Sequence, residues 1–323
     1  LYCSSYKDPS LGQCNFIALD YKTGNVLWTD ADSNGGTCLL DEYTFVNSPL
    51  VDSDGNIYTS DSQRVVSFAP DGSKRWESTL PQELTTLGGN GRVNNTFGFN
   101  QFTTGELVSA TLGDAFVVVM NPADGSLYSE PFNLPAEKLV SATPFTRPTG
   151  HLEKFGGVSG ADAVWNSSFA DQGNENDNDI SIDPHTDTVF IVSAAEGPND
   201  LCEEPEDDLS TPCGDGKLWA VQYDADSPEA QKISIVFSVR FPGPGGSATT
   251  PAVSNDGQYV VFADATAGLR VADIPRCLAE FADIPATAEN GYNECPYFSV
   301  YDLPFDLLAS PTVTPDNVAM VLG

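Results

Sequence analysis

Residues 18–28 read Ala18-Leu19-Asp20-Tyr21-Lys22-Thr23-Gly24-Asn25-Val26-Leu27-Trp28: a strand end, a polar turn closed by glycine, and a second short strand ending in tryptophan. The same order of signals returns, one residue shorter, in Val65-Val66-Ser67-Phe68, Pro70-Asp71-Gly72 and Lys74-Arg75-Trp76. Glycine admits the tight turn, and a flat indole offers a large packing surface with one polar N–H. Ahead of the second copy, Ser48-Pro49-Leu50-Val51-Asp52-Ser53-Asp54-Gly55-Asn56-Ile57-Tyr58-Thr59 adds a strand, an Asp/Gly/Asn turn and another strand.

Four short strands joined by polar turns in a unit of about 30 residues read as one blade of a β-propeller. The unit recurs. Leu1-Tyr2-Cys3-Ser4-Ser5 and Phe16-Ile17-Ala18-Leu19-Asp20 stand as second and third strands before the first Gly-Trp segment. A later copy runs through residues 106–110, Ala115 to Met120 and Asp124-Gly125-Ser126-Leu127-Tyr128. Others start at Ile180-Ser181-Ile182-Asp183 with Thr188 to Val192 and Leu218-Trp219-Ala220-Val221, at Thr250 to Phe262, and at Ser310 to Asp316. The fold class is therefore all-β, a propeller of four-stranded antiparallel blades over 1–323, with about five blades visible. Both ends supply what reads as a second strand, so the reading favours a piece of a larger propeller over a six-bladed ring closed by both termini.

The pattern Ala-x-Asp-x-x-Thr-Gly-x-x-x-Trp resembles the blade-docking motif of the pyrroloquinoline-quinone-type (quinoprotein-like) propeller repeats. Ala18, Asp20, Gly24 and Trp28 complete it, Gly72 and Trp76 keep its turn and indole, and later copies keep fragments such as Asp124-Gly125. The resemblance implies blade-docking roles for these residues. Its alcohol-oxidising members carry a vicinal Cys-Cys disulfide, an Asp base and Glu/Asn calcium ligands. This sequence has no Cys-Cys pair, so catalytic residues are not assigned, and the quinone (PQQ) enters only if part of the site lies outside the segment.

Charge narrows the partners. Lys+Arg number 14 against 46 Asp+Glu, a net charge of −32. Nucleic acid needs a basic stripe to displace counterions, and an anionic membrane surface repels such a chain. The longest apolar run, Ala115 to Met120, is far too short to span a bilayer, while 40% hydrophobic and 10% aromatic residues suffice for a core. The remaining partners are other secreted proteins or copies of the same chain.

Of the seven cysteines, six bracket polar stretches in pairs, Cys3 with Cys14, Cys202 with Cys213, and Cys277 with Cys295, as disulfides stapling loops in an extracellular or periplasmic protein. Cys38 is left over as a candidate cross-link. Zinc is disfavoured because no C-x-x-C occurs and only His151 and His185 supply imidazole. Asn94 and Asn166 open glycosylation sequons. Long inserts are expected at 133–178, 197–216 and 274–298, the last with a helical turn over Cys277–Phe281. Within the first, Asn174, Asn176, Asp177, Asn178 and Asp179 offer oxygen ligands suited to calcium, although a solvated acidic loop accounts for the same residues. Asp52-x-Asp54-Gly55-Asn56 reads as turn chemistry. Two functions follow: a non-enzymatic secreted propeller that binds or assembles with proteins, needing no cofactor, and, as the alternative, a secreted quinone-dependent alcohol or sugar dehydrogenase.

Overall fold

The structure, a computed structural model, describes residues 2–4, 14–40, 49–61, 64–81, 96–111, 116–134, 180–193, 216–241, 250–263, 268–282, 293–302 and 310–320. Four successive four-stranded meanders form its centre. They are β4–β7 (Leu50–Val51, Ile57–Ser60, Arg64–Phe68, Lys74–Thr79) and β8–β11 (Thr96–Gln101, Leu107–Thr111, Phe116–Met120, Phe132–Asn133). Then come β12–β15 (Ser181–Asp183, Thr188–Ser193, Gly216–Tyr223, Ile233–Phe241) and β16–β19 (Ala252–Val253, Tyr259–Ala263, Gly268–Asp273, Phe298–Asp302). A three-stranded sheet, β1–β3 (Tyr2–Ser4, Phe16–Leu19, Val26–Thr29), precedes them, and a hairpin, β20–β21 (Thr312–Val313, Ala319–Met320), follows. Every strand pairs antiparallel with its sequence neighbour within its sheet.

The cores establish how the sheets are arranged. Side chains alternate across a strand, and successive residues enter different cores. Val65 packs against the third sheet's Phe99, Leu107 and Val118, whereas its neighbour Val66 joins Phe16, Ala18 and Trp28 of the first. Val118 faces the second sheet, while Val117 and Val119 face the fourth sheet's Val189, Ile191 and Trp219. Phe190, Leu218 and Ala220 turn the other way, onto Val260, Phe262 and Ala272 of the fifth sheet. Each described core thus lies between consecutive sheets, the stacking of propeller blades. It also explains why inner strands such as Phe116–Met120 are apolar at every position: both faces are buried.

Some boundaries differ from the sequence reading. The fourth strand of the third blade is β11, not Asp124–Tyr128, which forms a turn tied back by a lone Met120–Leu127 bridge. In the fourth blade the outer strand β15 follows a 3₁₀ turn at Glu229–Gln231 rather than an Asp-Gly turn, so no turn signal announced it. The insert between β18 and β19 opens with a two-turn helix, α1 (Ile274–Phe281), longer than the single turn expected. Asp273 caps it by accepting from the Arg276 N–H, and Pro275 stands in the first turn, where its missing N–H costs nothing. Apart from residues at their ends, the inserts expected at 133–178 and 197–216 lie outside the described residues.

Candidate functional site

In a four-stranded meander the first and third turns share one edge, so the polar turns that punctuate this sequence collect on a single face of the propeller.

Asx chemistry builds each turn. Asp20 Oδ1 accepts the N–H groups of Lys22 and Thr23, both at 2.9 Å, and these backbone bonds hold its carboxyl below the ordinary range. Asp71 and Asp124 are lowered in the same way by the hydroxyls and amides of Ser73 and Ser126. Partial burial works to raise Asp52. Hydrogen bonds from the Asn56 side chain, the Tyr58 hydroxyl and two amides outweigh it and keep the group lowered. Both Asp52 oxygens are occupied by its own turn.

Among the first three blades, indoles cross from one blade to the next. Trp28 donates its N–H to the Pro70 carbonyl at 3.1 Å and lies on Gly72, whose φ is +87° and whose Cβ, if present, would sit 2.7 Å from the ring. Trp76 donates to the Pro122 carbonyl at 2.9 Å and lies on Gly125, where a Cβ would come within 2.5 Å. Of the residues expected to dock blades, Ala18, Trp28, Gly72 and Trp76 are in these interfaces. Asp20 and Gly24 shape the first turn, and no described residue lies over it.

The later blades meet through polar turns. Thr103 of the third blade gives its N–H to Asp187 Oδ1 of the fourth at 2.9 Å, and its hydroxyl to Oδ2. His185 Nε2 donates to the Asn255 carbonyl at 3.0 Å, which places the proton on Nε2, and its ring covers Gly257. Asn255 then reaches the last hairpin, giving its N–H to Asn317 Oδ1 at 2.9 Å and its side-chain amide to the Thr314 carbonyl at 2.6 Å. Asn317 returns a bond to Asp256 at 2.8 Å. Sequence reading missed this chain, although Asp183-Pro184-His185-Thr186-Asp187 and Asn255-Asp256-Gly257 stand at the same turn of successive blades.

The insert after β18 folds back on the fourth blade. Asn293 and Cys295 bond the backbone of Ser238, and a parallel bridge joins Ser238 to Glu294, covering part of the exposed edge of β15. Glu294 Oε1 receives the Lys217 ammonium at 3.1 Å and Arg240 Nε at 2.6 Å. Lys217 and Arg240 are direct cross-strand partners, so this carboxylate separates two like charges, one of them on a fully buried lysine. The disulfide Cys277–Cys295 ties the returning strand to α1.

The second disulfide corrects the sequence pairing. Cys14 is bonded to Cys38, with Cα atoms 5.2 Å apart, and not to Cys3. The register explains why: Cys3 lies opposite Ile17, three residues along β2 from Cys14, a rise of about 10 Å that a disulfide cannot bridge. Cys38 is therefore no intermolecular cross-link. Beside this disulfide lies Asp30, fully buried; loss of water raises its carboxyl despite the amides of Leu39 and Leu40 on Oδ2, both at 2.8 Å. Cys14, Asp30 and Cys38 bring their ligand atoms within 4.8 Å, but sulfurs in a disulfide have no thiolate to offer a metal. Asn94, Asn166, Cys202, Cys213, His151 and the run Asn174 to Asp179 lie outside the described residues.

No protein-family model matches the chain, and no curated protein matches it. Among solved structures it is similar to virginiamycin B lyase from Staphylococcus aureus, at 10% identity and a TM-score of 0.46 over 86% of this chain and 62% of that one. A catalytically inactive variant of the same lyase with quinupristin gives 10% and 0.48, over 95% and 76%. The calcium-binding protein regucalcin from Agrobacterium tumefaciens gives 11% and 0.39, over 85% and 66%. The chain thus spans under two thirds of the first of these lyase structures, and the propeller rests on its own sheets and cores.

Proposed function

We propose that this protein is a non-enzymatic, secreted propeller of the quinoprotein-like repeat type that acts as a structural or protein-binding module in an extracellular assembly. One observation carries the reading: among the described residues, the polar turn groups of the later blades hydrogen-bond from blade to blade. His185, Asp187, Asn255, Asp256 and Asn317 are all engaged in this way. Secretion is supported by two disulfides, and no helix among the described residues is long and apolar enough to cross a membrane.

Electron microscopy of the unreduced protein, isolated from its source, tests the reading. Regular assemblies with a repeating disc are expected. Solitary discs carrying the absorption of a bound quinone would replace the module with the dehydrogenase.

A further inference from the structure

The two described disulfides differ in what surrounds their sulfurs. Cys277 and Cys295 are both buried, and among the described residues no carboxylate or imidazole stands within 4.8 Å of both their sulfurs. Cys14–Cys38 is lopsided: Cys14 is buried, whereas Cys38 is partly exposed beside Gly35 and Gly36. No described atom lies within 4 Å of a Cβ placed on either glycine, so the turn that leads into Cys38 is open.

A carboxylate oxygen of Asp30 lies within 4.8 Å of both Cys14 and Cys38 sulfurs. Asp30 has no exposed surface, and the amides of Leu39 and Leu40 occupy its Oδ2. Its Oδ1 has no hydrogen-bond partner among the described residues. A carboxylate needed only to hold those two amides would keep its second oxygen in water, since enclosing it unpaired is costly. Here the whole group is enclosed beside sulfur.

That arrangement has a chemical use when the disulfide opens. An attacking thiolate bonds to one sulfur and expels the other as a thiolate, so the leaving sulfur's acidity helps set the rate. Access directs attack to Cys38, which makes Cys14 the leaving group. Burial in apolar surroundings disfavours its thiolate, and a proton delivered there removes the obstacle.

We propose that Cys14–Cys38 is a thiol–disulfide exchange site for a small dithiol, with Asp30 as the proton donor to Cys14. One thiolate of the dithiol bonds to Cys38 Sγ. The Cys14–Cys38 bond breaks, its electron pair stays on Cys14 Sγ, and that sulfur takes the Asp30 proton. The second thiol of the dithiol, ionised, then closes on the first and expels Cys38, which is protonated from water, as Asp30 is in turn. The protein is reduced by two electrons to two thiols, and the dithiol leaves as a cyclic disulfide. In reverse, with the cyclic disulfide as oxidant, the Asp30 carboxylate takes the Cys14 proton. The exchange involves only this chain and a dithiol, whichever function the propeller serves.

Burial suits Asp30 to the task, because loss of water raises its carboxyl against the opposing amides of Leu40 and Leu39. Asp32, the neighbouring acid on the same turn, is engaged with the N–H and hydroxyl of Thr29.

The test treats the intact, folded chain with dithiothreitol, traps thiols with N-ethylmaleimide and reads each cysteine pair by mass spectrometry from pH 4 to 8. Rates are expressed per attacking thiolate. Cys14–Cys38 should open first while Cys277–Cys295 stays closed, which also certifies that the fold persists. Asp30→Asn keeps an acceptor for Leu39 and Leu40. It should slow the opening about a hundredfold at the acid end, as loss of a general acid does. The gap should close as pH rises through the raised Asp30 value, because the parent then lacks the proton too. Asp32→Asn should follow the parent throughout. Joint opening of both disulfides would make Cys14–Cys38 a plain staple released by unfolding, and overturns the proposal. An unchanged or faster rate in Asp30→Asn, or a slowing that does not vary with pH, overturns it by leaving Asp30 only its two amides to hold. An equal slowing in Asp32→Asn overturns it by assigning the effect to charge alone.

Discussion

The blade interfaces on the two sides of the third blade use different chemistry. From the first blade to the third, a tryptophan crosses each interface, donates one N–H to a carbonyl and presses its ring onto a glycine. From the third blade to the last hairpin, Thr103, Asp187, His185, Asn255 and Asn317 exchange hydrogen bonds between turns. An indole buries a large apolar area along with its one polar bond, whereas a polar pair exchanges water for protein and gains little net. Stability at the turn face should therefore be concentrated in the early interfaces. The later ones gain register, and their strength comes from the apolar cores beneath.

The largest effect should come from the indoles. Trp76→Ala is expected to cost about 4 kcal/mol, as enclosed aromatics do, and His185→Ala about 1 kcal/mol for one exposed hydrogen bond. Denaturant midpoints of the two variants decide it, and equal losses would erase the contrast.

The glycines separate ring contact from backbone conformation. Gly24, Gly72 and Gly125 all have positive φ, so alanine at any of them strains the turn by about 1–2 kcal/mol. At Gly72 and Gly125 the new methyl also displaces an indole, and about 3 kcal/mol is expected in total. If Gly24→Ala costs as much as Gly125→Ala in thermal or denaturant unfolding, φ alone sets the penalty.

The same contrast marks how much the sequence disclosed. The early blades were legible because their docking is local in pattern: glycine, tryptophan and a fixed spacing between them. The strand pairs of the inner sheets were legible because both faces are buried and the runs stay apolar, as in Thr188–Ser193. The outer strand β15 was not, since the connection from Tyr223 to Ile233 through a 3₁₀ turn lacks the Asp-Gly punctuation. The polar chain of the later blades was hidden for another reason. Its partners, such as Thr103 and Asp187 or His185 and Asn255, lie far apart in sequence, and Thr, Asp and Asn at turns are expected whether or not they reach a neighbour. The Cys14–Cys38 bond was misread because nearness in sequence stood in for nearness in the register.

A third measurement probes a place where the later blades rely on charge. Glu294→Gln removes the carboxylate that holds Lys217 and Arg240 apart, leaving a buried ammonium beside a guanidinium. A loss of about 2 kcal/mol is expected, below that of a fully enclosed pair because Glu294 still touches water. The penalty should shrink when Lys217→Met is added, since the double variant no longer buries that charge. A double-mutant cycle with strictly additive losses would show that the carboxylate does not hold the pair.

The smallest effect separates two kinds of aspartate. The turn carboxylates Asp20, Asp71 and Asp124 are lowered by hydrogen bonds, so what they contribute is present above the unfolded value of 3.8 and fades as acid titrates them. Asp30 behaves in the opposite sense. Burial raises its folded pKa above 3.8, so the native state holds the proton more tightly than the unfolded chain. Its contribution is complete below 3.8 and is lost as pH rises through the raised folded value. Asp30→Asn cannot titrate, and its amide oxygen can still accept from Leu39 and Leu40, leaving an offset that does not vary with pH. Stability of the variant minus that of the parent should therefore climb as pH is raised from 3.8 and level off once Asp30 is ionised, whatever the other carboxylates do in both proteins. Urea midpoints taken at unit pH steps from 4 to 8 measure that difference. A flat profile would mean that the two amides compensate the buried charge in full, and a falling one that they overcompensate it, which would make Asp30 a cap of the same kind as the turn aspartates.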